Sequence, residues 1–180
     1  MMSVMPFPDF HELHTGSLGV QYALSSRKGV PSANTLRRFA GAAFGYLPQQ
    51  DILNPASDVC IECVLRVVDE PEIVQLNRDY RHKDYATNVL TFYYEQQADQ
   101  GLFIGDIAIC HAVIVREAHE QQKSVLAHYA HMVVHGVLHL QGWEHESDAD
   151  HQAMMRVEAH VLKQLGFENP YQMDDFERFE

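Results

Sequence analysis

The stretch His135-Gly136-Val137-Leu138-His139-Leu140-Gln141-Gly142-Trp143-Glu144-His145 sets three histidines into a run that is otherwise mostly apolar. Its first half continues a pattern that begins at Val125. Apolar residues such as Leu126, Tyr129, Met132, Val133, Val137 and Leu138 surround a predicted helix over 125–141 on almost every side. A helix that is apolar all round belongs in a protein interior, and Ser124 is placed to cap its first turn. At about 100° per residue, His128, His131, His135 and His139 fall in one stripe roughly 80° wide on that buried cylinder. A single core histidine is usually a hydrogen-bonded packing residue. Four in one stripe, each costly to bury without a partner, point to a site.

Imidazoles at i and i+4 stand about 6 Å apart along a helix axis and can converge on one ion. Both His131/His135 and His135/His139 meet that condition. A continuing helix would carry His145 far round the cylinder, but Gly142 can take a left-handed conformation, end the helix and turn the chain back. The result is H-x-x-x-H-x-x-G-x-x-H, the ligand spacing of metzincin zinc hydrolases, with Gly136 where those enzymes carry glutamate. Three neutral nitrogens and an open position suit a catalytic Zn2+, which brings a bound water's pKa to about 7. A structural zinc would want a fourth protein ligand. Imidazole also accepts nickel and other divalent ions. Glu144, Glu146 and His151 are candidates for a fourth ligand or supporting partners; for Glu146 and His151 a solvated helix start is the simpler account.

Around this core the chain reads as a mixture of strands and helices. Residues 18–24 suggest a strand and 34–46 a helix capped by Asn34; 58–68 alternates as a strand does. Asp69 can cap a helix over 70–80. Residues 88–94 and 102–110 read as strands of one hairpin. From 111 the pattern is helical, and Ser147-Asp148-Ala149-Asp150 opens a last helix that stops near Gly166. The class is α+β: one domain with a small mixed sheet, and a metal-ligand helix followed by a glycine turn, distantly metzincin-like. The domain spans 17–170, between an N-terminal segment over 1–16 read as flexible and an acidic tail over 171–180.

A chain of 180 residues, 46% hydrophobic, can bury one sizeable core. The first sixteen residues lack a cationic start and a sustained apolar run, and no run of about 18 apolar residues occurs anywhere. Those features suggest a cytoplasmic protein without a membrane partner. Three cysteines do not form a secreted disulfide framework. Cys60 and Cys63 resemble a CxxC pair, but in an alternating strand they face opposite sides and read as packing residues. The net charge is −12, and residues 143–180 hold ten acidic against three basic side chains. That balance argues against non-specific polyanion binding and leaves Arg78-Asp79-Tyr80-Arg81-His82-Lys83 as the best basic candidate, though a solvated helix end also accounts for it.

The motif HGVLHLQGWEH resembles the H-G-x-L-H-L-x-G-x-D-H signature of the YbeY family, bacterial metal-dependent endoribonucleases of rRNA maturation. "LNRDYRHKDYATNVLTF" at 76–92 and "GDIAIC" at 105–110 resemble further blocks of that family in the same order. The resemblance spans about 58–170. It implies zinc ligands at His135, His139 and His145, a cleft between sheet and helices, and a functional arginine at Arg81. A planar guanidinium there suits phosphate binding and transition-state charge; the structural alternative is a salt bridge with Asp84 or Asp79. Lys83 and Glu144 are secondary catalytic candidates; Thr87 and Asn88 are candidates for ordering the loop, with strand entry the simpler account, and Asp106 for positioning the site or supporting a turn. The chain departs from the family's wording in three places: Glu144 replaces an aspartate, Trp143 a tyrosine, and Phe92-Tyr93-Tyr94 a Phe-Pro.

The activity that follows is a zinc-dependent, single-strand-preferring endoribonuclease in rRNA maturation and ribosome quality control. Its partners would be rRNA precursors and the ribosomal proteins or small ribosomal subunit that carry them. The general base is open among metal-bound hydroxide, Glu144 and His131. The competing readings are a non-catalytic metal-containing ribosome-assembly factor and a zinc peptidase, the latter disfavoured by Gly136.

Overall fold

The computed structural model describes residues 18–48, 50–97 and 100–171. The expected N-terminal segment over 1–16, and the expected tail apart from Tyr171, lie outside the described residues. The elements run β1 (Leu18–Ala23), α1 (Ala33–Ala42), β2 (Cys60–Val68), α2 (Glu70–Arg81), β3 (Val89–Gln97), β4 (Leu102–Cys110), α3 (His111–Glu120), α4 (Val125–Leu140) and α5 (Asp148–Gln164). The fold is α+β, with a four-stranded mixed sheet ordered β1-β2-β4-β3. β1 and β4 run parallel to β2, and β3 returns antiparallel to β4 as the edge strand. The hairpin expected from 88–94 and 102–110 is therefore the β3–β4 pair.

The alternation along β2 explains how the sheet is covered. Ile61, Cys63, Leu65 and Val67 enter the larger core with α1, α4 and α5, while Val64 and Val68 pack with Ile73 and Leu76 of α2. Cys63 is buried and Cys60 half-buried, both free thiols, as expected for packing residues on opposite faces. α4 crosses the first face as the most buried element, with Tyr129, Val133, Val134, Val137, Leu138 and Leu140 completely enclosed. Truncating one of these, such as Leu138→Ala, removes about 2–5 kcal/mol.

The caps at Ser124, Asp69 and Ser147 are made as expected. Their side chains accept from the amides of Ala127 at 3.1 Å, Glu72 at 3.0 Å and Asp150 at 3.1 Å. One cap differs. The first helix was expected over 34–46 behind Asn34, but it runs from Ala33 to Ala42 behind Ser32, whose Oγ accepts from the Thr35 amide at 3.2 Å. Ser32 satisfies the free amide, so Asn34 lies inside the first turn and its Oδ1 accepts from Arg37 at 3.4 Å. The helix stops early because its exit belongs to another element. The buried Gln141 side chain accepts from the Gly45 amide and donates to the Ala43 carbonyl, each at 2.8 Å. Trp143 adds an indole hydrogen bond to the Tyr46 carbonyl at 2.8 Å. The C-terminal end of α4 is thus bolted to residues 43–46 just before the third histidine. Among the described residues no helix is long and apolar enough to cross a membrane.

Candidate metal centre

α4 ends where the sequence predicts. Gln141 closes its last turn, and Gly142 follows with φ of +96°, a left-handed conformation that turns the chain back toward the helix. The turn places His145 beside the two histidines of the last helical turns. One ring nitrogen from each of His135, His139 and His145 lies within 4.8 Å of the others. The ring centroids are 4.5 Å apart for His135 and His139, 4.6 Å for His139 and His145, and 5.5 Å for His135 and His145. Of the two i, i+4 pairs the sequence offered, the structure selects His135/His139.

The tautomers follow from what the outer nitrogens touch. His135 donates from Nδ1 to Glu158 Oε1 at 2.6 Å, and His139 donates from Nδ1 to the Trp143 carbonyl at 2.7 Å. Their Nε2 atoms are left as lone pairs facing each other across 3.1 Å. Two acceptors at that separation repel unless a cation stands between them, so the donor set fits a metal ion. Burial and then the neighbouring rings of His135 and His145 push the His139 pKa down to about 4, which keeps its lone pair available at neutral pH. His145 Nδ1 lies 3.2 Å from His151 Nδ1, so His151 stands beside the third candidate ligand. A carboxylate or carbonyl behind a ligating imidazole is the usual support of a metal site.

Glu158, on α5, has no counterpart among the residues singled out from sequence. It is 1% exposed and bonds His135 through one oxygen and His131 through the other, at 3.3 Å. Burial alone would raise its pKa, but the bonds to His131 and His135 outweigh it and hold the carboxyl well below its usual range. A signal was present in the sequence. Met154, Met155, Val157, Val161 and Leu162 mark the core face of α5, and Glu158 is the acidic residue on that buried face.

The other histidines of the stripe serve neighbouring networks. His131 meets Glu158 and the Tyr171 hydroxyl, the latter at 3.0 Å, and is not among the three converging imidazoles. His128 Nε2 meets Glu117 at 2.6 Å; burial takes its pKa down to about 4 although Glu117 opposes the shift. Neutral His128 therefore donates from Nε2. Glu117 also accepts from Asn88 Nδ2 at 3.1 Å, and Asn88 Oδ1 accepts from the Val89 amide at 2.7 Å, so this network orders the entry to β3.

The three imidazoles form one wall of a cleft of about 590 Å³. It is also lined by Thr87, Asn88 and the β3 residues Val89 to Thr91 and Tyr93, with the exposed Arg81, Glu144 and Glu146 at the rim. Arg81 is exposed at the end of α2. The proposed structural partner Asp84 is taken by Arg78, at 2.5 Å, and among the described residues Arg81 forms no ion pair. Lys83 is exposed in the following loop and does not line the cleft. Asp106 supports no turn: it is buried mid-strand on the opposite face of the sheet, accepting from the Val64 amide at 3.0 Å and the Tyr94 hydroxyl at 2.8 Å. Burial raises its pKa to about 6 against those two bonds.

Gly136 explains the missing glutamate. A Cβ there would lie 3.0 Å from Ile107 Cγ2 and 3.4 Å from Val89 Cγ2. The position points into the contact between α4 and the sheet, where the helix backbone comes close enough for Thr91 Oγ1 to donate to the Gly136 carbonyl at 3.3 Å.

The family model described as Endoribonuclease YbeY matches residues 32–166. The chain is 45% identical over 163 residues to the Endoribonuclease YbeY of Nitrosospira multiformis, covering 84% of this chain and 79% of that one. It is 45% identical over 162 residues to that of Xanthomonas campestris pv. campestris, with 86% and 92% covered. For Albidiferax ferrireducens the figures are 48% over 130 residues, 71% and 86%. A solution structure of a Thermotoga maritima protein matches at a TM-score of 0.48 and 21% identity, over 83% of this chain and 92% of that one. With the family model spanning most of the chain and relatives matching well beyond the histidine motif, the chain belongs to the YbeY endoribonuclease family.

Proposed function

We propose that the protein is a zinc-dependent endoribonuclease that cuts single-stranded RNA, with rRNA precursors in the cytoplasm as its substrates, in rRNA maturation and ribosome quality control. The observation that carries this reading is the convergence of three imidazole nitrogens within 4.8 Å at the wall of a cleft whose rim bears Arg81. Family membership supplies the substrate class.

When bound, a divalent cation at this centre supplies Lewis acidity to a phosphodiester oxygen and to water. The protein's own groups do the rest. Glu158 and the Trp143 carbonyl hold His135 and His139 in the tautomer that keeps Nε2 free. Arg81, unpaired among the described residues, offers its guanidinium to the scissile phosphate and to the charge that grows on it. Glu144, the carboxylate among the candidates for the general base, lines the cleft and takes the proton of the attacking water. His131, the other side chain considered for that task, is spent on Glu158 and Tyr171. A flexible single strand can enter a narrow cleft with its bases splayed, as a stacked duplex cannot. Ribosomal proteins or the small subunit are the partners that would present such a strand. Lys83 acts at most through its charge at the approach.

Gly136 weighs against the peptidase reading, since it supplies no base and a Cβ there would press on Ile107 and Val89. The test is ribonuclease activity of wild type, His139→Ala and Arg81→Ala at matched metal content. The expected loss is about 100-fold or more for each, the scale of removing a group that stabilises transition-state charge. Equal activity of all three after repurification points to a contaminating nuclease and overturns the proposal. A folded His145→Ala that still binds RNA without cutting it supports catalysis over a purely structural metal.

A further inference from the structure

Tyr93 stands in the cleft without a role in the chemistry above. It belongs to the Phe92-Tyr93-Tyr94 run of β3. Its side chain lines the cleft together with His135, His139, Arg81 and Glu144, and it is 41% exposed. Among the described residues its hydroxyl has no hydrogen-bond partner.

Its neighbours fix its direction. Phe92 packs edge-on against Tyr80, with ring centroids 5.0 Å apart, in the cluster beneath α2. Tyr94 goes to the same face and donates to Asp106. Tyr93 pairs with Gly105, and directly after it the register shifts, the mark of a bulge. Bulges near sites re-aim side chains. Two anchored aromatics on the reverse face therefore turn Tyr93 toward the metal ligands, where it contributes a partly exposed ring held by its backbone.

The electrostatics of the cleft give such a ring a purpose. Arg81 is the one Lys or Arg among the described lining residues, two glutamates share the rim, and the chain carries a net charge of −12. Phosphate contacts alone supply little attraction for a nucleic acid here. Burial and Glu144 push the Tyr93 pKa up to about 12 despite Arg81, so the ring is neutral and adds no repulsion.

We propose that Tyr93 is a stacking platform for one base of a single-stranded RNA, next to the phosphate that Arg81 and the histidine centre engage. The inference rests on the ribonuclease reading and adds to it a residue that binds the base. Stacking on an aromatic face tolerates any base, so Tyr93 raises affinity without specifying sequence.

The test measures Kd of the zinc-loaded full chain for a short single-stranded RNA and for an abasic ribose-phosphate oligomer of the same length, with thermal melting to verify folding. Tyr93→Ala is expected to weaken RNA binding about 5- to 100-fold, the loss of one stacked base. Tyr93→Phe is expected to restore RNA affinity to within about twofold of wild type, and all three proteins to bind the abasic oligomer equally. An unchanged Kd for Tyr93→Ala on RNA that the wild type still cleaves overturns the platform and leaves the ribonuclease reading standing. Tyr93→Phe as weak as Tyr93→Ala, or an equal loss on the abasic oligomer, overturns it too, since the hydroxyl or the backbone contact would then carry the effect. A wild type that neither binds nor cuts RNA removes both.

Discussion

Glu158 shows how much the candidate metal centre depends on a residue outside the three histidines. Its two oxygens hold His135 and His131, and a carboxylate behind a ligating imidazole both orients the ring and strengthens its nitrogen as a donor. Glu158→Gln keeps the volume while removing the charge. It is expected to lower zinc affinity about 10- to 100-fold, measured against a competing chelator. Affinity within the error of wild type would mean that the Glu158 contact is packing alone. The convergence of His135, His139 and His145 was legible in the sequence because their spacing is local: four residues on a helix and six more across a glycine turn. Glu158 lies thirteen residues beyond His145, on another helix, and only the fold brings it to His135. The four-histidine stripe also divides in a way that spacing could not decide, since His128 and His131 belong to the Glu117 and Glu158 networks.

At the scale of elements, α4 is both the core of the fold and the carrier of the site. Its sequence announced its length, its cap and its burial, because an unbroken apolar surface has one physical destination. What the pattern could not give was how closely it packs. Gly136 lets the helix backbone approach β3 and β4, and that approach sets where His135 and His139 stand. Gly136→Glu, the substitution that would restore a protease-like motif, presses a polar side chain on Ile107 and Val89 from its Cβ onward. It is expected to destabilise the protein by about 3 kcal/mol or more, read as a lowered midpoint in denaturant, and to produce no peptidase activity. A stable variant that gained metal-dependent peptide cleavage would show that the side chain reaches the ion after all. The first helix illustrates the opposite limit of sequence reading. Ser32 and Asn34 are both good caps, and the end of the helix is decided by Gln141, about a hundred residues away.

Across the whole molecule, the strands were legible one at a time from period-two alternation, and the β3–β4 hairpin from the short polar connection between them. The order β1-β2-β4-β3 was not, since parallel neighbours joined through helices leave no local mark on the chain. That order places β3 at the edge, facing α4, so that Arg81, Tyr93 and the three histidines meet in one cleft. The acidic character of the chain makes that cleft an unusual place for RNA, and the proposed activity turns on an ion: held by His135, His139 and His145, it would make the cleft a ribonuclease. The direct measurement is the cleavage rate of a single-stranded RNA as the metal-stripped protein is titrated with zinc. Negligible cleavage is expected without metal, and with it a rate that climbs to a plateau at about one ion per chain, the complement of one three-histidine centre. Undiminished cleavage by the metal-stripped protein, or a fully loaded protein that leaves the RNA intact, would contradict the proposed activity.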